Sequence, residues 1–359
     1  MHEPQEPPDL HGRRIGERIA WLFAHASRHS AAFCSPEAWL ARERYLARHP
    51  TAIVAMKCMD GRINFSVATR TPLGIIQPFR NLGGMFDLGW PHLGEVLTGH
   101  VQRVTREGRQ VMLLITYHYS RGDPRRGCAG FGFDTCAAIA HTQAIRAQVE
   151  HTFGAAHGTV YPVVCGFETD EDAIVLHGAG DARLDLAEVA PEDAERIAAR
   201  LDVLYPDMPE RIRDDLLPLL RGNLERVAQV RAGSRKLDIE HREWMICLGR
   251  GFDFLHTPNV ALIIGPYSPD LGEPIRRAAR IIESNMAAGR IPDDGFLLLA
   301  SSPYEDLGVD RARAELKSRF LSGFATEVVR HHHPALATRM HVRTAVLEWR
   351  SRQLQVLAD

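Results

Sequence analysis

Apolar residues recur at Ile15, Ile19, Leu22 and Phe23, the i, i+4, i+7, i+8 spacing of one helix face, and predict an amphipathic helix over 11–30. Ser35-Pro36-Glu37 then supplies an N-cap, a proline at the first helical position and an acidic first turn, predicting a second helix to about Arg48. Both helices read as packing elements. From 51 the periodicity changes. Thr51 to Lys57 and Gln110 to Tyr117 are short, nearly continuous apolar runs, as expected of parallel strands covered on both faces. Asp134 caps a helix on which Ile145, Val149 and Phe153 repeat at fours, and Thr159 to Phe167 with Asp172 to Leu176 reads as a closing strand pair. The alternation indicates an α/β domain that ends near 182. Residues 186–238 are helical and charge-rich, broken by Tyr205-Pro206-Asp207-Met208-Pro209, and read as a link between two halves. Residues 1–10 read as disordered.

The second half looks like a degenerate copy of the first. Met56 to Phe65 lies over Met245 to Phe254, Leu93 to Leu97 over Leu271 to Ile275, and Leu113 to Tyr119 over Leu298 to Tyr304, at offsets of 189, 178 and 185. Three blocks in the same order, each beside an expected strand, point to duplication. At the aligned positions Asp60 becomes Gly249, Arg62 becomes Gly251 and His118 becomes Pro303.

Composition narrows the function classes. The 359 residues carry a formal net charge of −2, without the basic excess of a dedicated nucleic-acid binder. The opening Met1-His2-Glu3-Pro4-Gln5-Glu6-Pro7-Pro8 is acidic and proline-rich, unlike a signal peptide, and no apolar run reaches the ~18 residues of a membrane span. Six cysteines spread through a long chain are not a disulfide framework, which implies a cytoplasmic protein with reduced thiols.

The chemistry concentrates at Cys58-Met59-Asp60-Gly61-Arg62, with His118 and Cys128 further on. Singly, Cys58 and Cys128 read as buried core thiols and His118 as a hydrogen-bonded core residue. Together, two thiols and one imidazole form a zinc-binding set with one position left over, the mark of a catalytic rather than a structural site. Cys58 and His118 each end an expected strand, at the carboxyl edge where sites gather in parallel sheets. Asp60 can reach whatever occupies the open position, and Arg62 can hold Asp60 ionised.

The order Cys-x-Asp-x-Arg, then Arg80-Asn81-Leu82-Gly83-Gly84, then a strand with His118 and a later Cys128 resembles the β-class carbonic anhydrases. The usual His-x-x-Cys-Gly spacing is replaced here by a long loop. That loop, the helical N-terminal region and a metal-free second repeat resemble the carboxysome shell branch, over most of the chain and with the specific motifs in 55–136. The resemblance implies an α/β fold of two β-carbonic-anhydrase-like domains, one active and one degenerate, packed as a pseudo-dimer beside a small N-terminal helical region. Its segments would be 1–50 helical, 51–185 catalytic, 186–238 linking and 239–359 degenerate. It also implies Zn2+ held by Cys58, His118 and Cys128, with Asp60 and Arg62 as the catalytic dyad. Carbon dioxide and bicarbonate would be the substrates, with no nucleic acid and no membrane as partner. A homo-oligomer and association with the carboxysome shell or Rubisco are further implications; in that branch docking uses an N-terminal extension longer than the ten or so residues ahead of the first helix here.

Two thiolates cancel the charge of a zinc dication, so its water should be less acidic than at a three-histidine site, and activity should climb above neutral pH. The same site could instead serve carbon disulfide or carbonyl sulfide, or the chain could be a scaffold with structural zinc or none. Arg121, Arg125 and Arg126 read as a solvated loop face rather than an anion trap. Gly130-Phe131-Gly132 is no dinucleotide fingerprint. His331-His332-His333 reads as a solvated loop, Cys34, Cys136 and Cys165 as core or helix-packing residues, and Cys247 as the relic of the repeat.

Overall fold

The computed structural model describes residues 10–190, 195–233, 239–257 and 259–358. Most of the stretch read as disordered at the N-terminus, residues 1–9, lies outside them, as do short pieces of the charge-rich segment. The chain divides into two compact units that interleave in sequence: Met1–Trp39, Met59–Arg62 and Glu240–Asp359 form one, Leu40–Cys58 and Ile63–Ile239 the other.

Two helices come first, α1 (Ile15–Phe33) and α2 (Pro36–Arg48), as the periodicity predicts. Ile15, Ile19 and Leu22 are buried on α1, whereas α2 buries no residue fully. Ser35 caps α2 through its hydroxyl, which accepts from the Ala38 N–H at 3.2 Å.

The 40–239 unit is built on a six-stranded sheet. Its elements are β1 (Ala52–Cys58), α3 (Phe65–Ala68), β2 (Ile76–Asn81), α4 (Pro91–Arg106), β3 (Val111–Tyr119), α5 (Thr135–Phe153), β4 (Val160–Glu168), β5 (Ala173–His177), β6 (Arg183–Asp185), α6 (Ile197–Leu204) and α7 (Glu210–Ala232). Strand order is β2-β1-β3-β4-β5-β6, with β1, β2, β3 and β4 parallel and the last two antiparallel. Every residue of β1 is buried, which explains its unbroken apolar run. Side chains such as Val54, Leu113 and Val163 each contribute roughly 1.5–3 kcal/mol by burial. Asp134 caps α5 by accepting from the Ala137 N–H, as expected.

Helix α7 anchors this unit through two buried polar residues. The Asn223 amide donates to the backbone oxygens of Ala68 and Asp172 and accepts from the Ile174 N–H, while Asp215 accepts from the Thr51 N–H at 2.9 Å. Gly222 of α7 lies against the Thr69 carbonyl, with no room for a Cβ.

The other unit holds a five-stranded sheet, ordered β11-β10-β9-β7-β8, from β7 (Met245–Leu248), β8 (Ala261–Ile264), β9 (Phe296–Tyr304), β10 (Met340–Glu348) and β11 (Gln353–Val356). Its helices are α1, α8 (Gly272–Ala287), α9 (Val309–His332) and the short α10 (Pro334–Ala337). Four parallel strands and one antiparallel strand repeat the order of β2, β1, β3, β4 and β5. The two sheets therefore share one topology, and both α4 and α8 follow the strand equivalent to β2.

Register corrects one alignment. β3 and β9 have equal length and pair along their whole length with β4 and β10, from Val111↔Val160 to Tyr119↔Glu168 and from Phe296↔Met340 to Tyr304↔Glu348. This supports the third sequence block, in which Ile115 corresponds to Ala300. Met56 pairs with Ile115 and Leu248 with Ala300, so Met56 corresponds to Leu248 rather than Met245. The first block is three residues out of register: Cys58 falls at Arg250 and Asp60 at Phe252, not at Cys247 and Gly249. Cys247 is an interior strand residue opposite Leu299, not a relic of a ligand. A few matching letters outweighed the pairing pattern, which only the sheet shows.

Candidate metal centre

Cys58 is the last residue of β1 and His118 the penultimate residue of its parallel neighbour β3. They stand side by side at the carboxyl ends of adjacent strands, where parallel sheets open a crevice. Cys128 arrives from the loop beyond β3, just ahead of a short 3-10 turn, and its carbonyl accepts from the Phe131 and Phe133 N–H groups. All three side chains are buried, and their ligand atoms lie within 4.8 Å of one another. Tetrahedral zinc with bonds of ~2.3 Å to sulfur and ~2.0 Å to nitrogen puts its ligands about 3.5–3.8 Å apart, so the donors are grouped at the required scale.

The Arg80-Asn81-Leu82-Gly83-Gly84 motif shapes the floor of this centre. The Arg80 guanidinium donates to the carbonyl oxygens of Cys58 at 3.0 Å and Ile63 at 2.8 Å, fixing the backbone at the first donor. Gly83 and Gly84 both take a φ of 66°, which side chains avoid. A Cβ on Gly84 would meet the Thr116 carbonyl at 2.9 Å, and one on Gly130 would meet the Gly83 Cα at 2.8 Å. These glycines let the turn after β2 press against β3 and against the segment carrying Cys128.

Carboxylates hold the long loop between His118 and Cys128. Ser120 donates to Asp170 at 2.9 Å, Gly122 N–H to Asp170 at 2.7 Å and Arg121 N–H to Glu168 at 3.1 Å. Arg121 pairs with Asp185, Arg125 with Asp123, and Arg126 lies 3.6 Å from Asp170. The three arginines are thus engaged with acids of the loop and its surroundings, in keeping with a loop face rather than an anion trap. Glu168 and Asp170 gave no sequence signal, because acids after a strand are common on surfaces.

The Cys58 thiol is pushed well above its ordinary pKa by the hydrogen-bonding contact with Cys128, then by burial and the charge of Cys128, while His118 pulls the other way. Two thiols crowded in an apolar site keep their protons unless a cation joins them. A divalent ion reverses that balance and deprotonates the sulfurs outright. The donor set therefore fits zinc.

Asp60 and Arg62 follow Cys58 in the chain and belong to the other unit. Both are buried, and the carboxylate takes three hydrogen bonds from Arg62: from its N–H at 2.9 Å, its Nε at 3.1 Å and its Nη2 at 2.6 Å. The fork geometry fixes the orientation of Asp60 and keeps its charge compensated. Arg62 Nη2 also lies 2.9 Å from His241 Nε2, and His241 Nδ1 lies 3.0 Å from Glu243. Burial pushes the Glu243 carboxyl up, but the His241 charge and hydrogen bond outweigh it and hold it below the ordinary value. Asp60, His241 and Glu243 also cluster closely enough for an ion, yet Arg62 already brings positive charge to Asp60 and His241. Sequence reasoning passed over both His241 and Glu243, since nothing in a lone His-x-Glu marks it.

Residues 43–194 match the family model of the carboxysome shell carbonic anhydrase catalytic domain. The matched span contains Cys58, His118 and Cys128 and both members of the Asp60–Arg62 pair. Residues 43–194 therefore form a domain of the carboxysomal-type carbonic anhydrase family. That family is one of carbonic anhydrases, enzymes of the zinc-lyase class, as the resemblance of the motifs implies. No curated protein matches the chain. Among the described residues no helix is long and apolar enough to cross a membrane.

The remaining signals in the chain are structural. Gly130-Phe131-Gly132 forms the short turn beside Cys128. His331 and His332 end α9 rather than lying in a loop, and His333 pairs with Glu283 at 2.8 Å. Cys165 is a core residue, but Cys34 and Cys136 are exposed, so their expected packing role does not hold.

Proposed function

We propose that Cys58, His118 and Cys128 hold a zinc ion and that this carbonic anhydrase uses it for the reversible hydration of carbon dioxide to bicarbonate. The observation that carries the reading is a buried cluster of two thiols and one imidazole at the carboxyl ends of β1 and β3, within a span matching the family's catalytic domain. Zinc held by three protein donors would supply a Lewis acid and an acidified water at its remaining position. Asp60, two residues beyond Cys58, accepts a hydrogen bond from the attacking oxygen and so turns a lone pair toward the carbon. Arg62 keeps Asp60 ionised and stops it swinging toward the donors. Supports of this kind typically contribute ~10–100-fold.

We further propose that the second unit is a copy without a metal; in support, the β3–β9 match sets Pro303 against His118, and the β1–β7 register continued two residues past Leu248 sets Arg250 against Cys58. Residence in a carboxysome follows from the family alone and is tested by cell fractionation.

The test pairs zinc content with turnover. Asp60→Ala should keep about one zinc per chain while losing hydration activity in a stopped-flow assay. Unchanged turnover would remove Asp60 from the mechanism, and absence of zinc from the intact protein would remove the metal reading.

A further inference from the structure

Glu243 is completely buried, and a carboxylate in such a place has to be matched by donors. Its oxygens find two. Oε1 accepts from the Gly61 N–H at 3.3 Å, and Oε2 lies 3.0 Å from His241 Nδ1. The residue is braced from behind as well. Its backbone carbonyl accepts from the Asn285 amide at 2.9 Å, and the Asn259 side chain accepts from the Arg242 N–H at 3.0 Å while donating to the Glu240 carbonyl at 2.8 Å. The carboxylate is thus fixed in place, gripping the backbone between Asp60 and Arg62 with one oxygen and an imidazole with the other.

A neutral imidazole carries one proton, and the partner of one ring nitrogen decides where it sits. An ionised carboxylate only accepts, so Glu243 draws the proton of His241 to Nδ1 and leaves Nε2 bare. That nitrogen lies 2.9 Å from Arg62 Nη2. Bare, it accepts one Nη2 hydrogen while the other goes to Asp60 Oδ2 at 2.6 Å, and the guanidinium is pinned between imidazole and carboxylate. In the other tautomer the Nε2 hydrogen would meet an Nη2 hydrogen, donor against donor, and Arg62 would turn out of the fork it makes on Asp60. Asp60 Oδ2 is 3.8 Å from Nε2, too far to take that hydrogen instead.

We propose that Glu243 is a positioning residue for the Asp60–Arg62 pair: it selects the His241 tautomer that accepts from Arg62, and so locks Arg62 onto Asp60. The inference rests on the reading of Asp60 as the group that orients the attacking oxygen. Neither Glu243 nor His241 lies in the span that matches the catalytic family.

Glu243→Gln tests this with almost no change of volume. Its amide oxygen keeps the Gly61 N–H, its NH2 group then stands where Oε2 faced Nδ1, and the imidazole proton moves to Nε2. Nitrogen-15 NMR of the full chain, with the His241 signal identified by its loss in His241→Ala, should show Nδ1 protonated in the wild type and Nε2 protonated in the variant. In the same variant kcat for carbon dioxide hydration should fall about 10–100-fold, the usual worth of such supports, with KM within about twofold and zinc per chain unchanged. His241→Ala should lose a similar factor, and His241→Gln, whose amide oxygen can accept from Arg62, should recover most of it. Full turnover in Glu243→Gln overturns the proposal, as does a lost rate with the tautomer unmoved or a loss carried by KM. Should Glu243→Gln not fold, the His241 variants decide, and equal rates in His241→Ala and His241→Gln overturn it. Asp60→Ala run in parallel separates the two readings. Unchanged turnover there removes Asp60 from the reaction, whereas an inactive Asp60→Ala beside a fully active Glu243→Gln removes only the role of Glu243.

Discussion

Gly61 sits between Asp60 and Arg62 with no space for a side chain. Its N–H donates to Glu243 at 3.3 Å, its carbonyl accepts from the Asn259 N–H at 2.8 Å, and the Met59 carbonyl accepts from the Ile263 N–H at 2.8 Å. A methyl group on Gly61 would meet the Ala261 carbonyl oxygen at 2.5 Å and the Glu243 Cγ at 3.3 Å. Carbon and oxygen need well over 3 Å, so one backbone must retreat by the better part of an ångström or the flanking hydrogen bonds must stretch. Overpacking of this kind costs about 1–3 kcal/mol. A displacement on that scale at a catalytic pair can cost about 10²-fold in rate. Gly61→Ala should therefore lower stability by that amount in urea denaturation and reduce kcat for carbon dioxide hydration by 10–100-fold, estimated roughly from the same principle. Zinc per chain should stay at the wild-type level, because Cys58, His118 and Cys128 are untouched. A variant that keeps wild-type stability within about 0.5 kcal/mol and full turnover would refute the close-approach argument.

Cys128→Ser should lower zinc per chain well below one, measured by plasma mass spectrometry, because serine is a poor replacement for a thiolate. Gly222→Ala, normally favourable in a helix by about 1 kcal/mol, should instead destabilise by about 1–3 kcal/mol in urea unfolding, since its Cβ lands on the Thr69 carbonyl. His29 is buried and its pKa falls to about 4, through burial first and then the charges of His25 and Arg352. The unfolded chain, with an ordinary histidine pKa near 6.5, then binds more protons between those values. Stability is full above about pH 6.5 and is lost as pH falls toward 4, by about 2 kcal/mol at pH 5. Urea midpoints of wild type and His29→Phe across pH 5–7.5 check this; the variant should lose that part of the slope.

Periodicity carried the first helices and the parallel strands because their apolar runs are long and their caps, Ser35 and Asp134, have an unambiguous chemistry. The sequence also marked out Cys58, His118 and Cys128, which meet in one buried cluster, since thiol and imidazole at strand ends are rare enough to notice. β2 (Ile76–Asn81) was not legible as a strand: it contains Pro78, Arg80 and Asn81, and the Arg80 guanidinium and Asn81 amide nitrogen find acceptors only once the Cys58 and Met85 carbonyls are in place. Glu168, Asp170, His241 and Glu243 were missed for the same reason, as their partners are distant in the chain. Register failed where matching letters were few, at β7, whose four residues hold too little pattern to oppose a chance match to Met56 and Cys58.

Residues 59–62 draw their backbone partners from Glu243, Asn259 and Ile263, although they fall inside the span that matches the catalytic family. A shortened gene ending near 239 would encode Cys58, His118 and Cys128 yet leave this tetrapeptide unsupported on both edges. Residues 240–264 thus act as scaffolding for a stretch of chain that precedes them by about 180 positions, and the polypeptide could not be trimmed there without loosening Asp60 and Arg62.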